Sequence, residues 1–223
     1  MRQLRDRNEW LINPHEANAY YDPSNNKIVI PAGILNKPFF YAEEGLPSAL
    51  NFGAVGGVAG HEVTHGFDTM GRQFDELGSL SKWWTKYSDE EFTKRTGCLV
   101  DKYSNYSLNG LNVKGDQTLP ENIADDGAVK VAFQAFKKYG NTDKRLIGLG
   151  NLTGDQLFFI GWSQVWCTVY TPESLRMQIL VRPHSPVQFR VNGPLSNSDD
   201  FAKAYNCPLG SGMNPGSEKC SIW

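Results

Sequence analysis

The sequence has little of what marks a membrane or nucleic-acid-binding protein. One low-charge stretch, Leu46 to Gly60 (LPSALNFGAVGGVAG), is too short and too rich in glycine to span a bilayer. The opening residues, MRQLRDRNEW, carry charges where an export signal needs an apolar region. No basic patch is present: 22 Lys and Arg are interspersed with 24 Asp and Glu, for a net charge of −2. That balance excludes the electrostatic footprint of a nucleic-acid binder. Cysteine is scarce. Cys98, Cys167, Cys207 and Cys220 contain no C-x-x-C pair, which excludes a cysteine zinc site and leaves three disulfide pairings open. Internal repeats and low-complexity tracts are absent.

What is present suffices for a core. With 40% apolar and 12% aromatic residues in 223, the chain fits one domain or one lobe of a larger protein. Two glycosylation sequons, NYS at Asn105 and NLT at Asn151, belong outside the cell, whereas an export signal is lacking. A further segment of the protein, N-terminal to this chain, reconciles the two.

Periodicity predicts a mainly helical fold with a small β element. KIVIPAGIL (Lys27 to Leu35) reads as a short strand running into a turn. The segment His61 to Asp68 reads as a helix ending near Gly71, with upstream glycines that allow close packing of a buried helix. A second helix runs from Glu121 to a stop at Gly140. Ala124, Ala128, Val131, Ala135 and Tyr139 form its apolar stripe, and Asp126, Lys130 and Lys137 its wet side. A third, Asp155 to Tyr170, is apolar on most sides. The stretch NSDDFAKAYNCP starts with a Ser/Asn cap and ends before Pro208.

The chemistry gathers at GHEVTHGFDTMG, residues 60 to 71. Residues four apart share a helix face, so His61 and His65 can present imidazoles to one ion. Zinc suits them, and its tetrahedral site leaves a position for water. Glu62 points about 100° around the helix, beside the metal rather than on it, as the base of an H-E-x-x-H peptidase motif requires. Glu121 is the candidate third ligand. It lies on one row with Asp125, Ala128 and Ala132, bordering the apolar stripe, and an inward acid needs a metal or a histidine N–H as partner. Asp68, three residues after His65, is a poor C-terminal helix acid and a good partner for a ligand histidine. His184 sits in RPHSPVQFR, between two prolines that stiffen a loop. His15 has no supporting context.

Taken together, these residues resemble the neprilysin family of zinc metallopeptidases, which includes the endothelin-converting enzymes. The resemblance rests on NAYY (Asn18 to Tyr21), IPAGIL (Ile30 to Leu35), HEVTHGFD (His61 to Asp68), ENIADDGA (Glu121 to Ala128), HSPVQFRVNGPLSN (His184 to Asn197) and CSIW (Cys220 to Trp223). It runs over essentially the whole chain but over only the C-terminal part of the family's ectodomain. It implies that residues 1–223 form a thermolysin-like gluzincin catalytic lobe, with one zinc per chain. His61, His65 and Glu121 would be the ligands and Glu62 the general base. Asp125 and Asp68 would orient the ligand histidines, Asp125 also counting as catalytic, and His184 would stabilise the transition state. Arg190, Asn18 and Ala19 would bind the substrate, while Phe39, Val58 and Trp166 would line an apolar S1′ pocket.

The implied substrates are small peptides cut on the amino side of bulky apolar residues, at the cell surface or outside the cell. The resemblance pairs Cys98 with Cys220 and puts the partners of Cys167 and Cys207 in an N-terminal lobe outside this chain. That lobe would cap the cavity and carry the membrane segment or signal. Departures from the family are Asp126 to Ala128, where NGG is common, and the small Gly57 and Ala59, which predict a wider S1′ pocket. Two other readings stand beside an active endopeptidase: a zinc-binding but catalytically incompetent fragment, and a cytosolic scaffold with an accidental motif.

Overall fold

A computed structural model describes residues 8–223, so most of the charged opening segment lies outside the described residues. Its architecture is eight α-helices with two small antiparallel hairpins. The first hairpin pairs β1 (Tyr20–Asp22) with β2 (Lys27–Val29) in the register Tyr20↔Val29. A 3₁₀ turn, Ala32–Ile34, follows, so Lys27 to Leu35 is the short strand and turn that its β-branched residues and Pro31 predict. Helices α1 (Ser48–Gly53) and α2 (Val55–His65) come next, then α3 (Lys86–Ser104). The second hairpin, β3 (Ser107–Leu108) with β4 (Leu111–Asn112), leads into the long α4 (Gly115–Tyr139). Four helices complete the chain: α5 (Gly154–Gln164), α6 (Pro172–Val181), α7 (Val187–Asn197) and α8 (Asp199–Ala204). Among the described residues, no helix is long and apolar enough to cross a membrane.

Helix α4 is the central element, packed against α2, α3 and α7. One core joins it to α1 and α5 through Phe133, Phe136, Phe158, Phe159 and Trp162. Each fully buried side chain of this size contributes about 1.5–3 kcal/mol. Helices α1 and α5 can approach because glycine lies at their crossing. A Cβ on Gly53 would sit 2.0 Å from the Phe158 carbonyl oxygen, and one on Gly161 2.6 Å from that of Leu50. The glycines upstream of His61 therefore serve close helix packing, which outweighs their cost of about 1 kcal/mol each in propensity. A second core, with Phe92, Leu99, Tyr103, Ile123 and Phe189, joins α3 to α4 and α7.

Several boundaries differ from the sequence expectation. Helix α2 stops at His65, with Gly66 as its cap, and a 3₁₀ turn at Gly71–Gln73 follows instead of further helix. Helix α4 begins six residues before Glu121, carrying Pro120 inside it. Of its predicted apolar stripe, Val131 and Tyr139 are exposed (45% and 72%), because the inward face runs through Val129, Ala132, Phe133 and Phe136 instead. Helix α5 starts at Gly154 on a capping box, Thr153 with Gln156, and ends at Gln164 rather than Tyr170. Ser198 caps α8 as read.

Asp126 is not a surface charge. It is half-buried and accepts a hydrogen bond from Asn197 Nδ2 (2.7 Å), while Lys102 Nζ donates to Asn197 Oδ1 (2.5 Å). Burial raises the Asp126 pKa from 3.8 to about 6, and burial lowers that of Lys102 to about 8. An acid with a raised folded pKa holds its proton more tightly when folded, so its contribution falls as pH rises from about 4 to 6. Relative to Asp126→Asn, the wild type should lose about 3 kcal/mol between pH 3 and pH 7, at about 1.36 kcal/mol per pKa unit. Urea unfolding of both proteins in chelator tests this, and parallel pH profiles would refute it.

Cys98 and Cys220 form a disulfide across a sequence separation of 122, anchoring the C-terminal tail to α3. Breaking it with a double Cys→Ser variant should cost about 2–4 kcal/mol, measurable by denaturant unfolding. Cys167 and Cys207 are unpaired within the chain.

Candidate metal centre

Helix α2 brings His61 and His65 onto one face, and α4 crosses it so that Glu121 meets them. One ligand atom from each of the three lies within 4.8 Å of the others. The two Nε2 atoms face one another at 2.9 Å. Glu121 Oε2 lies 3.2 Å from His61 Nε2, 3.5 Å from His65 Nε2 and 3.1 Å from His184 Nε2.

The other ring nitrogens are turned toward acids. His61 Nδ1 lies 2.8 Å from Asp125 Oδ1, and His65 Nδ1 lies 2.6 Å from Asp68 Oδ2. The Asp68 hydrogen bond places the proton of neutral His65 on Nδ1, leaving a lone pair on Nε2; His61 Nδ1 is buried without a partner in hydrogen-bond geometry, and the nearby Asp125 carboxylate favours the same tautomer by charge. Two lone pairs and a carboxylate oxygen then converge on one point, an arrangement that a cation resolves. Glu121 Oε2 is also buried with no donor in hydrogen-bond geometry, despite three imidazoles close by. The donor set, two imidazoles and one carboxylate, fits zinc with a position left open.

Without a cation the cluster would resolve itself by protonation. Burial opposes a charge on His65, but the Asp68 and Glu121 carboxylates override it and raise its pKa to about 10. His61 shifts upward in the same way, burial being outweighed by Asp125 and Glu121. Burial disfavours ionised Glu121, and the three histidines reverse this and hold its pKa well below the carboxylate range.

Asp68 and Asp125 are each fixed from behind. Asp68 Oδ1 accepts from the backbone N–H of Met70 and Gly71, both at 2.7 Å, locking the turn after α2. Asp125, fully buried, takes two hydrogen bonds of 2.8 Å from Arg190 Nε and Nη2. Arg190 in turn lies against Trp166, with its guanidinium carbon 3.8 Å from the ring centroid. The arginine expected to meet substrate is thus largely spent on Asp125, and Nη1 is the part left over.

A cleft of about 600 Å³ runs past these groups. Its lining includes Asn18, Ala19, Phe39, Val58, His61, Glu62, His65, Asp68, Glu121, Trp166, His184 and Arg190, so almost every residue expected at the site borders one space. Asp125 stands behind His61 rather than in the cleft. Glu62 is 6% exposed, and burial raises its pKa. Phe39 and Val58 pack together with Ala19 and Ile34. Gly57 does not widen this end: a Cβ there would meet the Trp162 ring at 2.7 Å, so its bareness admits a core tryptophan, and neither Gly57 nor Ala59 lines the cleft. Tyr20, Tyr21 and Met70 also line it, although the sequence pattern assigns them no role. The neighbouring Asn18 and Asp68 were the available signals.

Comparison with known proteins agrees with this geometry. The family model described as Peptidase family M13 matches residues 18–222. Human endothelin-converting enzyme 1 is 49% identical over 226 aligned residues, which cover 100% of this chain and 29% of that protein. The Mycobacterium tuberculosis zinc metalloprotease ZMP1, solved with an inhibitor, superposes with a TM-score of 0.91 at 37% identity, covering 98% of this chain and 34% of the other. PEPO from Lactobacillus rhamnosis gives a TM-score of 0.86 at 32% identity, with coverages of 98% and 33%. The chain thus spans less than a third of the length of the curated relative. From its fold, its metal-ligand cluster and these matches, it belongs to peptidase family M13.

Proposed function

We propose that residues 1–223 are the zinc-dependent catalytic domain of an endopeptidase that cleaves small peptides on the amino side of bulky apolar residues. The observation that carries this reading is the convergence of His61, His65 and Glu121 in a cleft that also exposes a buried, base-like Glu62. When bound by those three residues, zinc supplies a Lewis acid for water and for the scissile carbonyl.

The chain's own groups do the rest. Glu62 takes a proton from the attacking water and delivers it to the leaving nitrogen, and its burial-raised affinity suits it to hold that proton between the two transfers. His184 donates to the substrate carbonyl oxygen as negative charge develops there. Asp125 and Asp68 keep the ligand imidazoles in the required tautomer. Asn18 and Ala19, on the extended segment entering β1, hold substrate backbone, and Arg190 Nη1 donates to a carbonyl beyond the cut. Phe39, Val58 and Trp166 accept the apolar side chain.

The test is hydrolysis of a quenched fluorescent peptide with Phe or Leu after the scissile bond, with stoichiometric zinc and a chelator blank. Chelator-sensitive cleavage is expected. Zinc bound in full without cleavage would overturn the reading in favour of a catalytically incompetent fragment.

The chain is further read as the C-terminal part of an extracellular or cell-surface ectodomain. The Cys98–Cys220 disulfide fits an oxidising compartment. Exposed Cys167 is free to pair with an N-terminal lobe of the same protein. Asn105 and Asn151 are both exposed, and their side chains accept glycans in this reading. Secretion from eukaryotic cells should give two glycosidase-sensitive mobility steps, one lost with each Asn→Gln substitution.

A further inference from the structure

Three imidazoles surround Glu121, and they are not held alike. His61 and His65 turn Nδ1 toward Asp125 and Asp68. His184 has no such partner: among the described residues its ion-pair contact is the one from Nε2 to Glu121, and its side chain is 42% exposed. With one side-chain contact, the ring keeps its place over Glu121 only as far as its backbone is held, and a misplaced donor is a poor one.

What fixes His184 is its backbone. The start of α4 supports the segment entering it: Lys114 Nζ, at the N-cap, donates to the Leu180 carbonyl (2.8 Å) and Gln117 Nε2, in the first turn, to that of Arg182 (2.7 Å). Gln178 Nε2 donates to the His184 carbonyl itself (2.7 Å). The remaining link is the only one of the four made between fully buried side chains. Ser185 Oγ, on the residue after His184, donates to Asn122 Oδ1 at 2.8 Å. The Asn122 amide is held in that sense because its Nδ2 donates to Thr118 Oγ1 (2.9 Å), whose hydroxyl donates to the Lys114 carbonyl (3.1 Å). Asn122 follows Glu121 on the helix, so consecutive residues of one rigid turn carry the metal-site carboxylate and the anchor of the His184 loop.

We propose that Asn122 is a positioning residue that sets His184 over Glu121 through Ser185. It touches neither metal ligand atoms nor substrate space, being 0% exposed and outside the cleft. The proposal rests on the reading of His184 as the donor to the substrate carbonyl.

The test uses Ser185→Ala, Asn122→Ala and the double variant, all zinc-loaded. Ser185→Ala removes only one hydroxyl and is the variant least able to disturb folding. We expect zinc stoichiometry and KM to stay at wild-type values while kcat falls about 10- to 100-fold, the loss associated with a reacting group misplaced by about 1 Å. The double variant should be no worse than the worse single one, since both break one link. A second readout needs no turnover. The chain has four histidines, so selective ¹⁵N-histidine labelling resolves them, with His184→Gln assigning the one of interest. In Ser185→Ala the His184 nitrogens should move toward rotationally averaged positions while those of His61 and His65 stay in place. Unmoved His184 signals, or a raised KM with kcat intact, would overturn the proposal. A wild-type chain that binds zinc yet cleaves nothing would refute the function above, and the nitrogen signals would still decide the role of Asn122.

Discussion

Glu62→Gln should lower peptide turnover by about 10²- to 10⁴-fold, the range for loss of a general base, with one zinc still bound per chain. The amide is nearly the same size as the carboxylate it replaces and sits in the same buried place, 6% exposed, so the fold has little to react to. It cannot accept a proton. Metal retention is expected because the ligand atoms come from His61, His65 and Glu121, none of which leans on Glu62 by hydrogen bond or ion pair. Removing an acid from the cluster lowers its negative charge, so any change in zinc affinity should be a slight weakening. Turnover on a fluorogenic peptide together with metal content by atomic absorption checks both halves. Comparable turnover would remove Glu62 from the mechanism, and loss of zinc would make it part of the metal's own shell.

Asp125→Ala should be the most damaging single change to the site's framework. The side chain answers two groups at once, His61 Nδ1 and both Nε and Nη2 of Arg190. Its loss leaves the Arg190 guanidinium, 7% exposed, as an uncompensated buried cation. Breaking such a pair from one side costs about 3–5 kcal/mol. Zinc affinity should fall about 10- to 100-fold as well, since His61 loses the group that sets its tautomer. Urea unfolding in chelator isolates the first effect and zinc competition titration the second. Asp125→Asn, which keeps one acceptor, should fall between. If Arg190→Met on the Ala background fails to recover stability, the buried-cation account is wrong.

The metal cluster was the most legible part of the molecule. H-E-x-x-H fixes two imidazoles and a neighbouring carboxylate by helical spacing alone, and Glu121 with Asp125 forms a row that the structure turns inward. The apolar stripe of the same helix is less legible, because alanines are poor markers of phase: Val131 matches the core spacing but is exposed, whereas Phe133 and Phe136 define the buried side. Helix α3 leaves little trace in the local sequence pattern. Its core contacts, Phe92, Thr96, Leu99 and Tyr103, are a narrow row among charges, with Gly97 in the middle. Helix α7 carries Gly193 and Pro194 inside it, which local propensity would reject and tertiary packing against α4 overrides. Asp126 reads as solvated because Lys130 and Lys137 mark the same side of the helix as wet. Its burial comes from Asn197 on α7, a contact 71 residues away that no local pattern carries.

The Cys98–Cys220 bond divides the centre in two by topology. Glu121, Asp125, His184 and Arg190 lie inside the covalent ring that it closes, whereas His61 and His65 lie on the strand of chain outside it. Tension applied between the chain ends would therefore load α2 directly and bypass the acid half, whose ring transmits the pull through the two sulfurs. The first mechanical event to reach the centre would be the peeling of the histidine helix from α4, with the imidazoles leaving together. The ring would withhold roughly 400 Å of contour length, at about 3.3–3.6 Å per residue, until a reductant released it.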